Sequence, residues 1–256
     1  MIVRLLPDGL LCIRQIDHAA LSGKLARAWG GAMPALRPAE SVELATLRHD
    51  AGWEEPDRAP VRNPETGLPH SYRTCPTVDA LAVAERSVAN VGAADPYAAW
   101  LVSRHFASFH AGSDVPAARE WVTAQVGHRA ELLSRAWPRV GRDAVHPYVL
   151  EANFDWLQLL DALSLAACEG WESWESRETC AGYGEETTTF RYWRTEATGP
   201  LRVRGRVEPW PFAPSEVRGI VPVLMLAAGP WDGPEALARA WREARPAVLE
   251  IALTAE

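Results

Sequence analysis

The run Asn153–Cys168, NFDWLQLLDALSLAAC, predicts a buried helix with an acid near its centre. Phe154, Leu157, Asp161 and Leu165 recur at helical spacing and therefore share one face. That face is apolar except for Asp161, and burial of an unpaired carboxylate is costly. A metal ion beside the acid would remove that cost, and so would a buried arginine or a helix terminus. The run thus predicts either a metal ligand or a structural acid in the core.

Two histidines and a His-Asp pair lie in other predicted helices. His49 and Asp50 are adjacent in the run HDAGW, so they can supply an imidazole and a carboxylate to one divalent ion. His18 lies at the start of an earlier helix, where capping or core hydrogen bonding is the alternative role, and His105 lies one turn after Leu101 in WLVSRHF. We expect one metal site built from separate helices, with these ligands: His18, His49, Asp50, His105 and Asp161.

The order His, His-Asp, Asp resembles the HD-domain superfamily of helical metal-dependent phosphohydrolases. The segments QIDHAALSGKLARAWG, HDAGWEE, PVRNPETGLP, SRHF and LLDALSL are more closely similar to an uncharacterised bacterial family within it, the domain-of-unknown-function 3891 family. The similarity runs from Ile13 to Leu165 and implies a helical fold and a metal site, but no substrate. Two imidazoles and two carboxylates suit Mn, Fe, Co, Ni or Zn, and the resemblance implies a second ion if His105 joins the cluster.

Composition excludes several functional classes. The chain has 256 residues, 48% of them hydrophobic, so it can bury a sizeable core. A formal net charge of -7 argues against nonspecific binding to a nucleic acid duplex. The sequence offers neither a membrane-spanning apolar stretch nor a signal-peptide pattern, so a cytoplasmic location away from the membrane is expected. Four cysteines without CxxC spacing predict reduced thiols.

The predicted fold is mainly α, with two domains. Residues 1–168 form an HD-like helical core with an N-terminal β-hairpin, and residues 169–256 form a small α+β appendage that could pair with the N-terminal strands. Helices are predicted at 18–29, 38–50, 77–91, 95–110, 115–137, 146–168 and 233–244, and later strands at 185–193, 201–207, 217–226 and 247–253. The proline-rich residues 53–76 predict an ordered loop, either functional or a structural flap. The run PWPFAP at 209–214 predicts a rigid connection whose aromatic residues could dock on the core.

Asp50, Glu54 and Arg104 are the candidate catalytic residues. Glu54 would act as a general base or an outer acid, although short acidic runs are usually solvated. Arg104, with Arg58 and Arg73, could clamp a substrate phosphate. Two side chains are second choices as ligands: Asp155 and His110.

The resemblance predicts a cytoplasmic metal-dependent phosphohydrolase that uses a metal-activated water on a small phosphorylated substrate, such as a nucleotide. An HD-like di-iron oxygenase is one alternative. A non-catalytic, metal-stabilised module that binds a ligand or a protein is another, and a degenerate motif without metal is a third. The sequence leaves homo-oligomerisation open.

Overall fold

The computed structural model describes residues 1–196 and 199–255, and these residues build an α+β fold. The fold is 48% helical and 22% strand, so the prediction of a mainly α class is wrong. The reason is that strands from the two ends of the chain join in one seven-stranded sheet, beside a separate two-stranded sheet.

The first two strands lead into six helices. The strands are β1 (Ile2–Leu6) and β2 (Gly9–Ile13), and the helices are α1 (Gln15–Ala28), α2 (Ala39–Arg48), α3 (Thr77–Gly92), α4 (Pro96–Phe109), α5 (Pro116–Ala144) and α6 (Pro147–Glu169). Helix α5 continues past the predicted end at Trp137, although Gly141 interrupts its helical backbone with φ 79° and ψ 174°. The other five helices lie close to their predicted positions. None of the helices in residues 1–196 and 199–255 is long and apolar enough to cross a membrane.

The rest of the chain is mostly strand. It comprises β3 (Ser173–Glu175), β4 (Thr179–Cys180), β5 (Thr187–Thr188), β6 (Arg191–Glu196), β7 (Arg202–Glu208), β8 (Glu216–Ala227), α7 (Pro234–Arg242) and β9 (Arg245–Thr254). The predicted strand at 185–193 is instead the short β5 followed by β6, which begins at Arg191.

The large sheet has the order β1-β2-β8-β9-β7-β6-β3. Its pairs are antiparallel except for β7 with β9. The ladder between β2 and β8 pairs Leu10 with Leu226, which confirms that the C-terminal region pairs with the N-terminal strands. One sheet therefore contains strands from both predicted domains.

Helix α1 lies between the sheet and the other helices. It packs against both β8 and α6. At its end, the Trp29 ring lies 5.0 Å from that of the fully buried Trp156. The PWPFAP run docks here, as predicted, because Phe212 packs edge-on against Trp29 and Gly30 N–H donates to the Pro211 carbonyl at 3.0 Å. These contacts fix α1 on both sides, and α1 carries His18.

Candidate metal centre

The structure brings together all five predicted metal ligands. His18 comes from α1, His105 from α4 and Asp161 from α6, while His49 and Asp50 follow directly after α2. All five side chains are buried, with exposed fractions from 0% for His18 to 7% for Asp161. Four separate segments of the chain thus meet at one point in the helical layer.

The donor atoms lie close enough to share an ion. His18 Nε2 is 2.8 Å from Asp50 Oδ2, and His49 Nε2 is 3.5 Å from the same oxygen and 3.3 Å from Asp161 Oδ1. His105 Nε2 is 3.6 Å from Asp161 Oδ2. The group His18, His49 and Asp161 offers one ligand atom each, all within 4.8 Å of one another. Ligand atoms that each lie about 2.0–2.2 Å from one ion are separated from one another by similar distances.

Serine hydroxyls hold the His18 ring. Ser164 Oγ donates to the Asp161 carbonyl at 2.9 Å and accepts from Ser22 Oγ at 2.7 Å. Because its proton is committed, Ser164 Oγ accepts from His18 Nδ1–H, which lies 2.8 Å away. That tautomer leaves a lone pair on Nε2. The close approach of Nε2 to Asp50 then needs a shared cation, either a proton or a metal ion.

His49 is oriented in the same way and has an unmatched atom. Its Nδ1–H donates to the Thr46 carbonyl at 2.8 Å, across the last turn of α2. Its Nε2 is buried and has no hydrogen-bond partner within residues 1–196 and 199–255, although carboxylates of Asp50 and Asp161 lie nearby. Buried polar atoms are rarely left without a partner. A cation at this point, either a proton shared with these carboxylates or a metal ion, would match it.

The two carboxylates determine the charge of the cluster. Burial by itself would raise the pKa values of Asp50 and Asp161, but the neighbouring histidines lower both below the ordinary range. Burial would lower the pKa of His49, but Asp50 and Asp161 outweigh it and raise that pKa well above the usual value. For His105, burial prevails and lowers the pKa to about 4. At neutral pH, His105 could therefore ligate a metal without losing a proton, whereas His49 would have to release one.

These shifts predict how the metal-free protein responds to pH. The pKa of His49 is raised on folding, so its stabilisation is complete below about pH 6.5 and is lost as pH rises through the folded value. The pKa of His105 is lowered, so its contribution is lost as pH falls from about 6.5 towards about 4. We expect the free energy of unfolding to be greatest near pH 6.5. Urea unfolding of chelator-treated protein across pH measures this, and a His49→Gln variant should lack the alkaline decline. Two results would contradict this prediction: a free energy of unfolding that does not fall above about pH 6.5 in the parent, or one that falls equally in the variant.

Three residues that hold the predicted ligands in place were not identified from the sequence. Gln15 Nε2 donates to Asp50 Oδ2 at 3.2 Å, and the serines Ser22 and Ser164 hold His18. Gln15 is three residues before His18, and Ser164 is three residues after Asp161. Helical spacing from each ligand could have identified them, because residues three apart share a helix face.

Two candidate catalytic residues lie outside the cluster. Glu54 is exposed and pairs with the exposed Arg58 at 2.7 Å. Arg104 pairs with Glu151 at 2.5 Å, and its guanidinium lies 4.1 Å from the centre of the Phe154 ring. Asp50 is the candidate catalytic residue that the structure does bring to the site.

The second-choice ligands Asp155 and His110, and the predicted phosphate-binding residue Arg73, each have a different environment. Asp155 accepts from Arg177 and, at 3.0 Å, from the backbone N–H of Cys180, so its charge already has partners. Arg73 pairs with Glu169 at 3.0 Å. His110 lies on the wall of a cavity above the cluster.

That cavity has a volume of about 230 Å³ and has the ligand cluster as its floor. Trp53 and Tyr72, at opposite ends of the predicted loop, both line it. Tyr72 donates to Glu169 at 2.5 Å, which ties the end of the loop to α6. The loop therefore contributes part of the wall that encloses the cluster.

The family comparison covers this whole site. The family model described as "Protein of unknown function (DUF3891)" matches residues 1–227. The chain belongs to the DUF3891 family. The region matched to DUF3891 includes all five clustered residues and ends with β8. Neither the curated proteins nor the solved structures contain a match to this DUF3891 chain.

Proposed function

We propose that this DUF3891 protein is a metal-dependent hydrolase of a small phosphoester. The observation that carries the proposal is His49 Nε2, which is buried, has no hydrogen-bond partner among the described residues and faces two carboxylates. His18 and His49 with Asp50 and Asp161 would hold one divalent transition ion, for which Mn, Fe, Co, Ni and Zn are the suitable candidates. His105 would be a further ligand.

The placement of the ligands also supports a relationship to the HD-domain superfamily. A histidine, a His-Asp pair and an aspartate come from different helices and converge at one point. We propose one ion rather than two, because the described residues offer one group of three closely spaced ligands. This favours hydrolysis over the di-iron oxygenase alternative.

The residues around the cluster have defined tasks in this proposal. A bound ion would supply an acidified water and polarise a phosphoryl oxygen. Ser164 and the Thr46 carbonyl hold His18 and His49 with Nε2 towards the centre. Gln15 holds Asp50 by a hydrogen bond to Oδ2. Trp53 forms part of the cavity wall and would limit the water that reaches the floor.

Metal content and phosphoester turnover test the proposal together. Elemental mass spectrometry on protein purified without chelators or a histidine tag should find about one ion per chain. Hydrolysis of a panel of small phosphoesters should disappear after chelation and return on reloading. No metal after reconstitution with Mn, Fe and Zn would overturn the proposal. Metal without turnover would favour a metal-stabilised binding module, and oxygen consumption by the iron-loaded chain would favour an oxygenase.

A further inference from the structure

The wall of the cavity above the ligand cluster is apolar. Its side chains come from the loop and from α3, α4 and α6, and aromatic rings predominate: Trp53, Tyr72, Ala80, Phe106, Phe109 and Leu165. The Phe109 ring lies 4.6 Å from the ring of His105, while much of its side chain is exposed. Phe109 thus stands at the mouth, directly above one of the proposed ligands. A ligand that reaches the floor must pass along these rings.

Cationic side chains are missing from the lining formed by the described residues. No arginine or lysine is among the residues that surround the cavity in residues 1–196 and 199–255. Arg73 follows Tyr72 but pairs with Glu169, and Arg104 precedes His105 but pairs with Glu151. Sites for phosphate-rich ligands use such side chains as bidentate donors. This wall offers none.

The floor does not supply a surplus of positive charge either. Asp50 and Asp161 carry two negative charges, which balance a divalent ion when the histidine ligands are neutral. His110 on the wall adds no charge at neutral pH, because burial lowers its pKa. The loaded site would be close to neutral, so it would not attract a polyanion by its net charge.

The volume limits the ligand as well. The cavity holds about 230 Å³, less than the roughly 300–1,000 Å³ of a typical site for a drug-sized ligand. A dry apolar cavity of about 150 Å³ accommodates benzene. One aromatic or branched apolar group fits together with a reacting head group, whereas a nucleoside with its phosphates does not.

From the apolar wall, its missing cations and its volume, we infer that the substrate is a small ester with at most one negative charge and a compact apolar body, and that it is not a nucleotide. This inference rests on the proposed function for the reaction, and it narrows the substrate class. Phe109 and Trp53 would determine specificity by contacting the apolar body.

Calorimetry with two inert monoanions tests the apolar preference. Methyl(phenyl)phosphinate and dimethylphosphinate carry the same charge and differ only in that a phenyl group replaces one methyl group. Neither contains an ester bond, so neither can be hydrolysed. We expect the metal-loaded chain to bind the phenyl compound at least about tenfold more tightly, because the ring is buried. AMP should bind more weakly than the phenyl compound. Equal affinity for the two phosphinates, or tighter binding of AMP, would overturn the inference.

Phe109→Ala and Val126→Ala provide the matched variants. Both residues are exposed apolar side chains, and Val126 lies on α5 away from the cavity. Phe109→Ala should reduce the phenyl-to-methyl affinity ratio by about threefold or more, whereas Val126→Ala should leave it unchanged. A ratio that is unaffected by Phe109→Ala would count against this cavity as the binding site.

Metal content measured on the same samples distinguishes failure of the proposed hydrolase function from failure of the inference about the substrate. If the chain holds no metal, the proposed hydrolase fails, but the apolar cavity can still be tested with benzyl alcohol. Benzyl alcohol should then raise the Tm of the metal-free parent and of Val126→Ala, but raise it less in Phe109→Ala. If it does not raise the Tm of the parent, the inference fails as well.

Discussion

Asp161→Ala is expected to abolish stoichiometric metal binding and to lower the stability of the metal-free protein by about 3 kcal/mol. Asp161 lies 3.3 Å from His49 and 3.6 Å from His105, with 7% of its surface exposed. Its removal would delete a proposed ligand and would also leave the buried charge of His49 with one carboxylate fewer. The loss of metal affinity should exceed the roughly 10–100-fold effect of losing a supporting residue. Elemental analysis and urea unfolding of loaded and metal-free protein measure the two effects.

Asp155→Ala is the matched control. Asp155 is also a buried aspartate on α6, with 6% exposure, but its partners are Arg177 and the Cys180 N–H. This variant should lose stability, because it leaves those donors unmatched, and should keep its metal. If both variants lost metal equally, the loss would reflect damage to α6 and not a missing ligand. Metal retained by a folded Asp161→Ala variant would remove Asp161 from the site.

The candidate ligands could be found from the sequence because their burial is chemically unusual. Asp161 interrupts an apolar helical face, and His49, at the end of α2, continues the spacing of the buried Val42 and Ala45. Both observations use only local spacing. The distances between the helices depend on packing across long sequence separations, such as that of α1 on α6. Spacing alone therefore predicts the members of the cluster but not its geometry.

Adjacency in sequence was a poor guide to which side chains reach the cluster. Arg104 precedes His105, but successive residues on a helix point about 100° apart. Arg104 therefore reaches Glu151, while His105 faces Asp161. Gln15 shows the opposite case, because it is three residues from His18 and joins the same site. Helical spacing distinguishes these two cases, and proximity along the chain does not.

The fold class was missed because the sheet depends on non-local pairs. β2 pairs with β8 across most of the chain, and β7 pairs with β9 in parallel. Several strands of this sheet are short, including β1 and β2 at 5 residues each and β3 at 3 residues, so their alternation is weak. Local patterns could indicate strands at both ends but could not show that they form one sheet.

Gly52→Ala should lower the free energy of unfolding by about 1–3 kcal/mol and weaken metal binding, although Gly52 donates no ligand. A Cβ at this position would lie 2.1 Å from the Val83 carbonyl oxygen and 2.9 Å from Ser87 N, both in the backbone of α3. Backbone atoms cannot move aside as a flexible side chain can, so the turn at residues 51–53 and α3 must separate. The hydrogen bond from Gly52 N–H to Ser87 Oγ, at 2.8 Å, would be strained as well. His49 and Asp50 immediately precede this turn and would shift with it.

Gly127→Ala separates this effect from the general consequences of replacing glycine. Gly127 lies in α5, and a Cβ there would have no atom within 4 Å in the part of the chain that the structure describes. Alanine should stabilise this helix by up to about 1 kcal/mol and leave the metal in place. Urea unfolding and metal titration of both variants give the comparison. If Gly52→Ala and Gly127→Ala had the same effect on stability and on metal binding, close packing of the HDAGW turn on α3 would not be required to position His49 and Asp50. If it lost both stability and metal, the glycine of this motif would be required for the contact that holds the His-Asp pair at the cluster.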